Sequence, residues 1–191
     1  MSSLAGHAAA GVAAYLCCNR WTDTRTRWAL GLFVFLAICP DFDYFAVWLF
    51  GYAAHPRFTH GLLFGLVMAL LVRLATRRCS SAHLPLPALL AAAWSHPLLD
   101  LLVGAHGLPL LWPLARDIAL PVGVLPSAGA LRWNNTYLWR NLLIELAVLV
   151  PAYAGVIAVM RRTAWRVIRP WAIWLTPVWA VFVAWSYGLP R

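Results

Sequence analysis

Long apolar segments separated by short arginine-containing loops are the feature that most constrains how this chain can fold. Six such segments follow one another, at about residues 4–18, 27–50, 59–76, 85–103, 137–160 and 170–188. Most of them approach the roughly 20 residues that an α-helix needs to cross the apolar core of a bilayer. A soluble protein with these segments would expose large apolar patches. The pattern therefore predicts an all-α membrane bundle of about six helices, in one domain over residues 1–191.

The composition agrees with this fold class, since 63% of the residues are hydrophobic and only 11% are charged. The first segment is short and barely spans a bilayer, at about 22 Å of helical rise. Pro40 interrupts the second segment, so we expect that helix to end or kink there. The stretch 104–136 is rich in glycine and proline. This composition predicts a structured loop that lies against the membrane face or folds back over the bundle.

The net charge of +9 comes from fifteen arginines and six acids, without a lysine. Nucleic-acid-binding proteins are also basic, but these arginines fall in short loops, as the positive-inside rule produces. We therefore expect membrane lipid as a partner and no nucleic acid. Ten arginines share one side of a six-helix arrangement: Arg20, Arg25, Arg27, Arg73, Arg77, Arg78, Arg161, Arg162, Arg166 and Arg169. That side is expected to be cytoplasmic, which places the 51–58 loop, the 104–136 loop and both termini outside.

Acids and histidines converge at the opposite, outer ends of the segments. Ionisable residues within apolar segments are costly and mostly functional. The topology was drawn from arginines alone, so the convergence is an independent indication of a site. Eight of the twelve acids and histidines belong to it: His7, Asp41, Asp43, His55, His60, His96, Asp100 and Glu145.

The spacing of these residues suits a metal ion. His96 and Asp100 are four residues apart, so they share one face of a helix and can hold one ion. Asp41 and Asp43 flank a single residue, and both carboxylates can point the same way if the backbone there is extended.

Two further histidines, His55 and His60, bracket a turn that can bring their imidazoles together, and His106 in the outer loop is another candidate ligand. Imidazole and carboxylate are ligands for zinc, and also for manganese or iron. A water in an open coordination position of such an ion becomes a nucleophile near neutral pH. The cluster therefore predicts a metal centre that is capable of hydrolysis.

Two other classes of function remain open at this point. A transporter or channel could use the cluster as an ion site, although its titratable groups would be expected to follow the membrane depth. Here the inner halves of the segments carry few such groups. A non-catalytic membrane scaffold with a structural metal is the second alternative, and metal removal would then unfold it.

Four arginines, Arg57, Arg116, Arg132 and Arg140, lie on the predicted outer side, against the positive-inside bias. Binding of phosphate, from a substrate or from lipid headgroups, explains their position. Ion pairing with nearby acids is the alternative explanation. Arg57 and Arg140 are therefore candidate catalytic residues that would bind a substrate phosphate.

Over about residues 5–115 the motifs resemble those of the bacterial inner-membrane-bound metal-dependent hydrolases of the LexA-regulated type. The matching pieces are Gly6-His7, Pro40-Asp41-Phe42-Asp43, His55 to His60 followed by Gly61-Leu62-Leu63, Ser95-His96 with Asp100, and Gly107-Leu108-Pro109-Leu110-Leu111-Trp112-Pro113. The family usually reads His-Arg-Gly-x-Thr-His, whereas this chain has His55-Pro56-Arg57-Phe58-Thr59-His60. The arginine is thus displaced by one position.

That family is in turn distantly similar to the zinc-dependent phospholipases C and single-strand nucleases, which cleave phosphoesters with a zinc cluster. By this resemblance, His7, His60, His96 and Asp100 would be zinc ligands, and His55 a further ligand or a residue that supports one. Asp41 or Asp43 would be a ligand or the base that orients the attacking water.

The soluble relatives add a later His-x-x-x-Glu pair. Here Glu145 is the matching acid, as a metal ligand, a residue that supports one or a counter-ion of Arg140, but Asn141 stands where their histidine would be. One or two ions, zinc or manganese, are therefore expected rather than three. Together these observations predict a membrane hydrolase that cleaves a phosphoester of a lipid or lipid-linked substrate at the outer face of the cytoplasmic membrane.

Overall fold

The computed structural model describes residues 2–24, 26–52, 56–78, 84–114, 116–127 and 134–189. Within these ranges the regular structure is helical, as predicted. Two 3₁₀ turns, Cys39–Phe42 and Phe58–His60, accompany the α-helices. The α-helices are α1 (Leu4–Cys18), α2 (Arg27–Ile38), α3 (Asp43–Phe50), α4 (Leu62–Ala75), α5 (Leu86–Val103), α6 (Thr136–Met160) and α7 (Trp165–Tyr187).

Among the described residues, four helical stretches are long and apolar enough to cross a membrane: Arg27–Phe50, α5, α6 and α7. The helices α1 and α4 are apolar but shorter, with 15 and 14 residues. The all-α membrane bundle is therefore confirmed; in the part of the chain that the structure describes, four stretches have full spanning length, and α1 and α4 are shorter.

Pro40 interrupts the α-helix of the second segment, as predicted. It lies in the 3₁₀ turn between α2 and α3, because proline has no N–H to continue the α-helical hydrogen bonding. The last segment differs from its prediction, since α7 begins at Trp165 and includes Pro170. Arginine is a good helix former, so Arg166 and Arg169 extend the helix where a loop was expected.

Helix α1 packs against α2, α5 and α6 and is central in the bundle. Small residues on α1 permit its close approach to the neighbouring helices. A Cβ atom on Gly11 would lie 2.7 Å from the backbone of α2 at Phe33 and Val34. In membranes, where water does not drive helices together, small residues of this kind promote helix association. Helix α7 packs on α6, and Ser186 is its one buried residue among those described.

The glycine- and proline-rich stretch folds back over the bundle. Leu108 and Ile118 exchange two backbone hydrogen bonds of 2.9 Å, and the N–H of Leu62 donates to the carbonyl of Leu110 at 2.9 Å. Gly104, with φ +67°, ends α5 where a Cβ would lie 2.6 Å from the backbone of Gly123. The loop therefore covers the end of the bundle at which the predicted site residues lie.

Candidate metal centre

His96 lies on α5, and a neighbouring helix fixes the orientation of its imidazole. Its Nδ1 lies 2.8 Å from the carbonyl oxygen of Ala37 in the last turn of α2, where helix carbonyls lose their helical partners. Because a carbonyl only accepts, Nδ1 must carry the proton and Nε2 presents a lone pair. Histidines that bind metals are commonly held in this way through their second nitrogen.

His60 is oriented by a chain of polar groups that begins at Arg57. The guanidinium of Arg57 donates to both oxygens of Asp43, at 2.8 and 2.6 Å. The hydroxyl of Thr59 donates to Asp43 Oδ2 at 3.0 Å and accepts from Nδ1 of His60, also at 3.0 Å. The Nε2 atom of His60 is thereby left with its lone pair free, as in His96.

Four atoms that can bind a metal ion, contributed by three parts of the chain, lie close together. His60 Nε2 and His96 Nε2 are 3.3 Å apart. Asp41 Oδ1 lies 3.7 Å from His60 Nε2 and 3.6 Å from His96 Nε2. Asp100 Oδ2 lies 3.5 and 3.7 Å from the same two atoms. Ligands about 2.0–2.1 Å from a tetrahedral zinc ion would be roughly 3.3–3.4 Å from each other. The five distances thus suit one tetrahedrally bound ion.

His7 completes the cluster from α1. Its ring stacks on that of His96, with centroids 3.8 Å apart, and its Nε2 lies 3.5 Å from Asp100 Oδ1. His7, Asp41 and His96 also form a group whose ligand atoms lie within 4.8 Å of one another. The cluster therefore offers ligands for one ion, and His7 is available as a ligand for a second ion.

Burying these histidines and carboxylates together costs free energy unless a cation is bound. The side chains of His7, His60 and His96 are 0% exposed and that of Asp100 is 1% exposed. Both ring nitrogens of His7, Asp41 Oδ1 and Asp100 Oδ2 are buried without a hydrogen-bond partner in the described chain. Leaving buried polar atoms unpaired costs about 1–3 kcal/mol each, and more when they are charged. The residues therefore fit a divalent cation.

Charge supports the same conclusion. Asp43 is paired with Arg57; burial lowers the pKa of that guanidinium, but its contacts with Asp43, Tyr44 and Asp41 together raise it above its usual value. Asp41 is 3.9 Å from Arg57, beyond hydrogen-bond distance. Asp41 and Asp100 thus contribute two carboxylates at the convergence point, which complements the charge of a divalent ion.

Asp43 and Arg57 are near the cluster but do not belong to the converging atoms. Both oxygens of Asp43 are used by Arg57 and Thr59, so this acid supports His60. Arg57 also lies over the ring of Tyr44, 4.6 Å from its centroid. Its side chain is 25% exposed, which places it on the open side of the cluster.

Glu145 and Arg140 lie on α6 and form hydrogen bonds with residues other than the converging histidines and aspartates. The Glu145 carboxylate accepts hydrogen bonds from the N–H of Ser3 at 3.0 and 3.2 Å and from the hydroxyl of Ser2. Arg140 is exposed. Its guanidinium donates to Asn141 Oδ1 at 3.2 Å and lies 4.9 Å from the Tyr137 ring centroid.

Of the remaining candidates, His55 and Arg132 lie outside the described residues. His106 is exposed in the loop after α5. Sequence reasoning did not single out Thr59, the Ala37 carbonyl, Ser2 or Ser3. Ser3 carried a usable signal, because a serine directly before an apolar helix is a common N-cap, and its Oγ accepts from the N–H of Gly6 at 3.0 Å.

The cluster lies far along the helices from the ends that carry the arginine-rich loops. At about 1.5 Å per residue, His7 is about 17 Å from the Cys18 end of α1, and Asp41 is about 21 Å along the chain from Arg27. Glu145 is about 22 Å from the Met160 end of α6. The hydrocarbon core of a bilayer is about 30 Å thick. The site is therefore recessed from the opposite ends of the long helices.

The fold and the cluster define a polytopic helical membrane protein with a buried histidine–aspartate group at one end of the bundle. The chain belongs to the YdjM inner membrane protein family, whose model matches residues 1–187. Neither a curated protein nor a solved structure matches the chain. The inner-membrane part of the predicted resemblance is thus confirmed, while hydrolase activity and the relation to phospholipases C stay predictions.

Proposed function

We propose that this protein is a metal-dependent membrane hydrolase that cleaves a phosphoester of a lipid or lipid-linked substrate. The observation that carries the proposal is the convergence of Asp41 Oδ1 and Asp100 Oδ2 on His60 Nε2 and His96 Nε2, with the histidine–histidine and histidine–aspartate distances at 3.3–3.7 Å. These residues would hold a divalent ion, zinc or manganese, and His7 would hold or support a second. The ion would lower the pKa of a water and polarise the phosphoryl oxygen.

The residues of the chain then have distinct tasks. Thr59 and the Ala37 carbonyl hold the two imidazoles in the tautomer that presents Nε2. Asp41 has a side chain that is 10% exposed, against 1% for Asp100, so it faces the open side. We assign it the contact with the attacking water, whose proton its second oxygen would accept. Asp43 anchors Arg57 beside this opening.

Arg57 is the better supported of the two candidate phosphate-binding arginines. It is partly exposed and lies 3.9 Å from Asp41, and a guanidinium can bind a carboxylate with one edge and a phosphate with another. Arg140 is exposed on α6 near the same end of the bundle. Its proposed role is to attract phosphate-bearing headgroups rather than to contact the reacting group.

A lipid substrate is favoured by the burial of the cluster in an apolar helical bundle. A group buried in this way is reached more easily by a molecule already in the bilayer than by a polar solute. Exposed aromatic side chains, including Phe42 in the 3₁₀ turn and Phe45 and Trp48 on α3, follow Asp41 along the chain. The arginine-rich loops at the other end of the bundle support a periplasmic site, by the positive-inside rule.

Metal analysis of detergent-purified protein is the first test, with the wild type compared with His96→Ala. We expect one or two equivalents of zinc or manganese in the wild type and a loss in the variant. A panel of phospholipids and polyprenyl phosphates would then be assayed for released phosphate or headgroup. Bound metal without hydrolysis, but with ion flux in vesicles, would instead favour a transporter. Metal-dependent folding without either activity would favour a scaffold.

A further inference from the structure

Glu145 is a buried acid whose partners are not the metal-site groups. It is 1% exposed, and in the described chain it has no ion pair with an arginine or histidine. Its oxygens accept from the N–H of Ser3 and from the hydroxyl of Ser2. A buried carboxylate with these donors lies at the positive end of a helix, where negative charge is stabilised.

The sequence of α1 is adapted to this contact. A Cβ atom on Gly6 would lie 2.5 Å from Glu145 Oε1, so a larger residue would displace the carboxylate from its position against the start of α1. The Oγ atom of Ser3 caps the N–H of Gly6 at 3.0 Å. As the N-cap, Ser3 has an N–H without a partner inside the helix, and this N–H donates to Glu145. The start of α1 is therefore fixed on α6 by hydrogen bonds and by close packing.

The same short segment contacts the metal site. The N–H of Ser2 donates to Asp100 Oδ1 at 2.7 Å, and this is the oxygen that lies 3.5 Å from His7 Nε2. The first helical hydrogen bond of α1 joins the N–H of His7 to the carbonyl of Ser3 at 3.0 Å. Ser2 and Ser3 thus link Glu145 to both Asp100 and His7.

We propose that Glu145 is a positioning residue, which acts through Ser2 and Ser3 to hold Asp100 and His7 at the metal site without binding the ion. The inference rests on the proposed metal site and deepens it. Of the three roles that the sequence leaves open for Glu145, it selects the support of a ligand. It also explains why α1, although short, begins at the level of the site.

The test combines two measurements on full-length protein in detergent. Hydrogen–deuterium exchange of peptides from residues 2–12 reports whether the segment is held, with or without metal. Titration with Co²⁺, followed by its visible absorption, reports the affinity and geometry of the site. The variants are Glu145→Ala, Glu145→Gln and Gly6→Ala. The control is Asn141→Ala, which removes a buried polar group one turn away on α6 that donates to the Ser127 carbonyl at 2.7 Å.

We expect Glu145→Ala to speed exchange in residues 2–12 about tenfold or more and to weaken Co²⁺ binding roughly 10- to 100-fold, as loss of a supporting group does. Gly6→Ala should give the same pair of effects with the carboxylate intact. Glu145→Gln keeps an oxygen for the N–H of Ser3 and should recover much of both. Asn141→Ala should leave the exchange of residues 2–12 and the Co²⁺ affinity close to wild type.

Four results would overturn the inference. Unchanged exchange in Glu145→Ala would show that the segment is held by other contacts, whether or not the wild type binds metal. Faster exchange with Co²⁺ affinity equal to that of Asn141→Ala would reduce Glu145 to a structural residue. Loss of Co²⁺ in Glu145→Gln with unchanged exchange would identify Glu145 as a ligand. Failure of the wild type to bind Co²⁺ would overturn the proposed function and, with it, this assignment. If Glu145→Ala does not insert into the membrane, the same two measurements on Glu145→Gln and Gly6→Ala test the positioning role.

Discussion

Arg57 holds Asp43 with two hydrogen bonds, of 2.8 and 2.6 Å. The paired geometry requires the planar guanidinium, because the ammonium of lysine is a point charge that cannot match both oxygens. Asp43 in turn accepts from Thr59, which contacts His60. The position of one imidazole at the site therefore depends on an arginine that does not contact it.

Arg57→Lys should consequently weaken metal binding about tenfold while the charge is retained, since supporting contacts of this kind contribute 10- to 100-fold to affinity. Competitive titration of zinc with a chromophoric chelator measures the change. The matched control is Arg140→Lys, whose side chain contacts Asn141 and Tyr137; its metal affinity should stay within about twofold of wild type. Equal losses in both variants would contradict the assignment.

Thr59→Val should lower metal affinity by about tenfold, because it removes the hydroxyl between Asp43 and His60 with little change in volume. Thr59→Ser should restore most of the affinity. Thr76→Val is a suitable control, since the Thr76 hydroxyl donates to the Val72 carbonyl at 2.7 Å at the far end of α4. An affinity loss in Thr76→Val as large as in Thr59→Val would indicate a general effect on folding.

Asp100→Asn should abolish metal binding and hydrolysis while the protein still inserts into the membrane. The substitution preserves shape but removes the charge at Oδ2, which is one of the four converging atoms. Elemental analysis after purification measures the metal content. Asp117→Asn, in an exposed part of the loop, should retain full metal content. Normal turnover by Asp100→Asn would eliminate the proposed site.

Zinc should stabilise the wild-type protein against heat. Binding at 100 times the dissociation constant adds about 2.7 kcal/mol, and for a chain of this size each kcal/mol corresponds to about 2–4 °C in Tm. We therefore expect chelation to lower Tm by several degrees and added zinc to restore it. A fluorescence-monitored melt in detergent measures the shift, which should be absent in His96→Ala.

The orientation can be measured with single cysteines in a cysteine-free background. Leu114→Cys in the covering loop should react with a membrane-impermeant maleimide in intact cells. Thr163→Cys, between α6 and α7, should react only after permeabilisation. Both positions are exposed, so accessibility reports the side of the membrane. The reverse labelling pattern would place the site on the cytoplasmic side.

The sequence determined the membrane fold because apolar length and the Pro40 interruption are local properties of a segment. It also identified His60, His96, Asp41 and Asp100, since ionisable residues within apolar segments are rare enough to be conspicuous. The tertiary structure decided which of the candidates meet. Ser2 contacts Asp100 across 98 positions and Glu145 across 143, and His96 contacts Ala37 across 59. Sequence periodicity carries no information about such separations, because they are set by how α1, α2, α5 and α6 pack against one another.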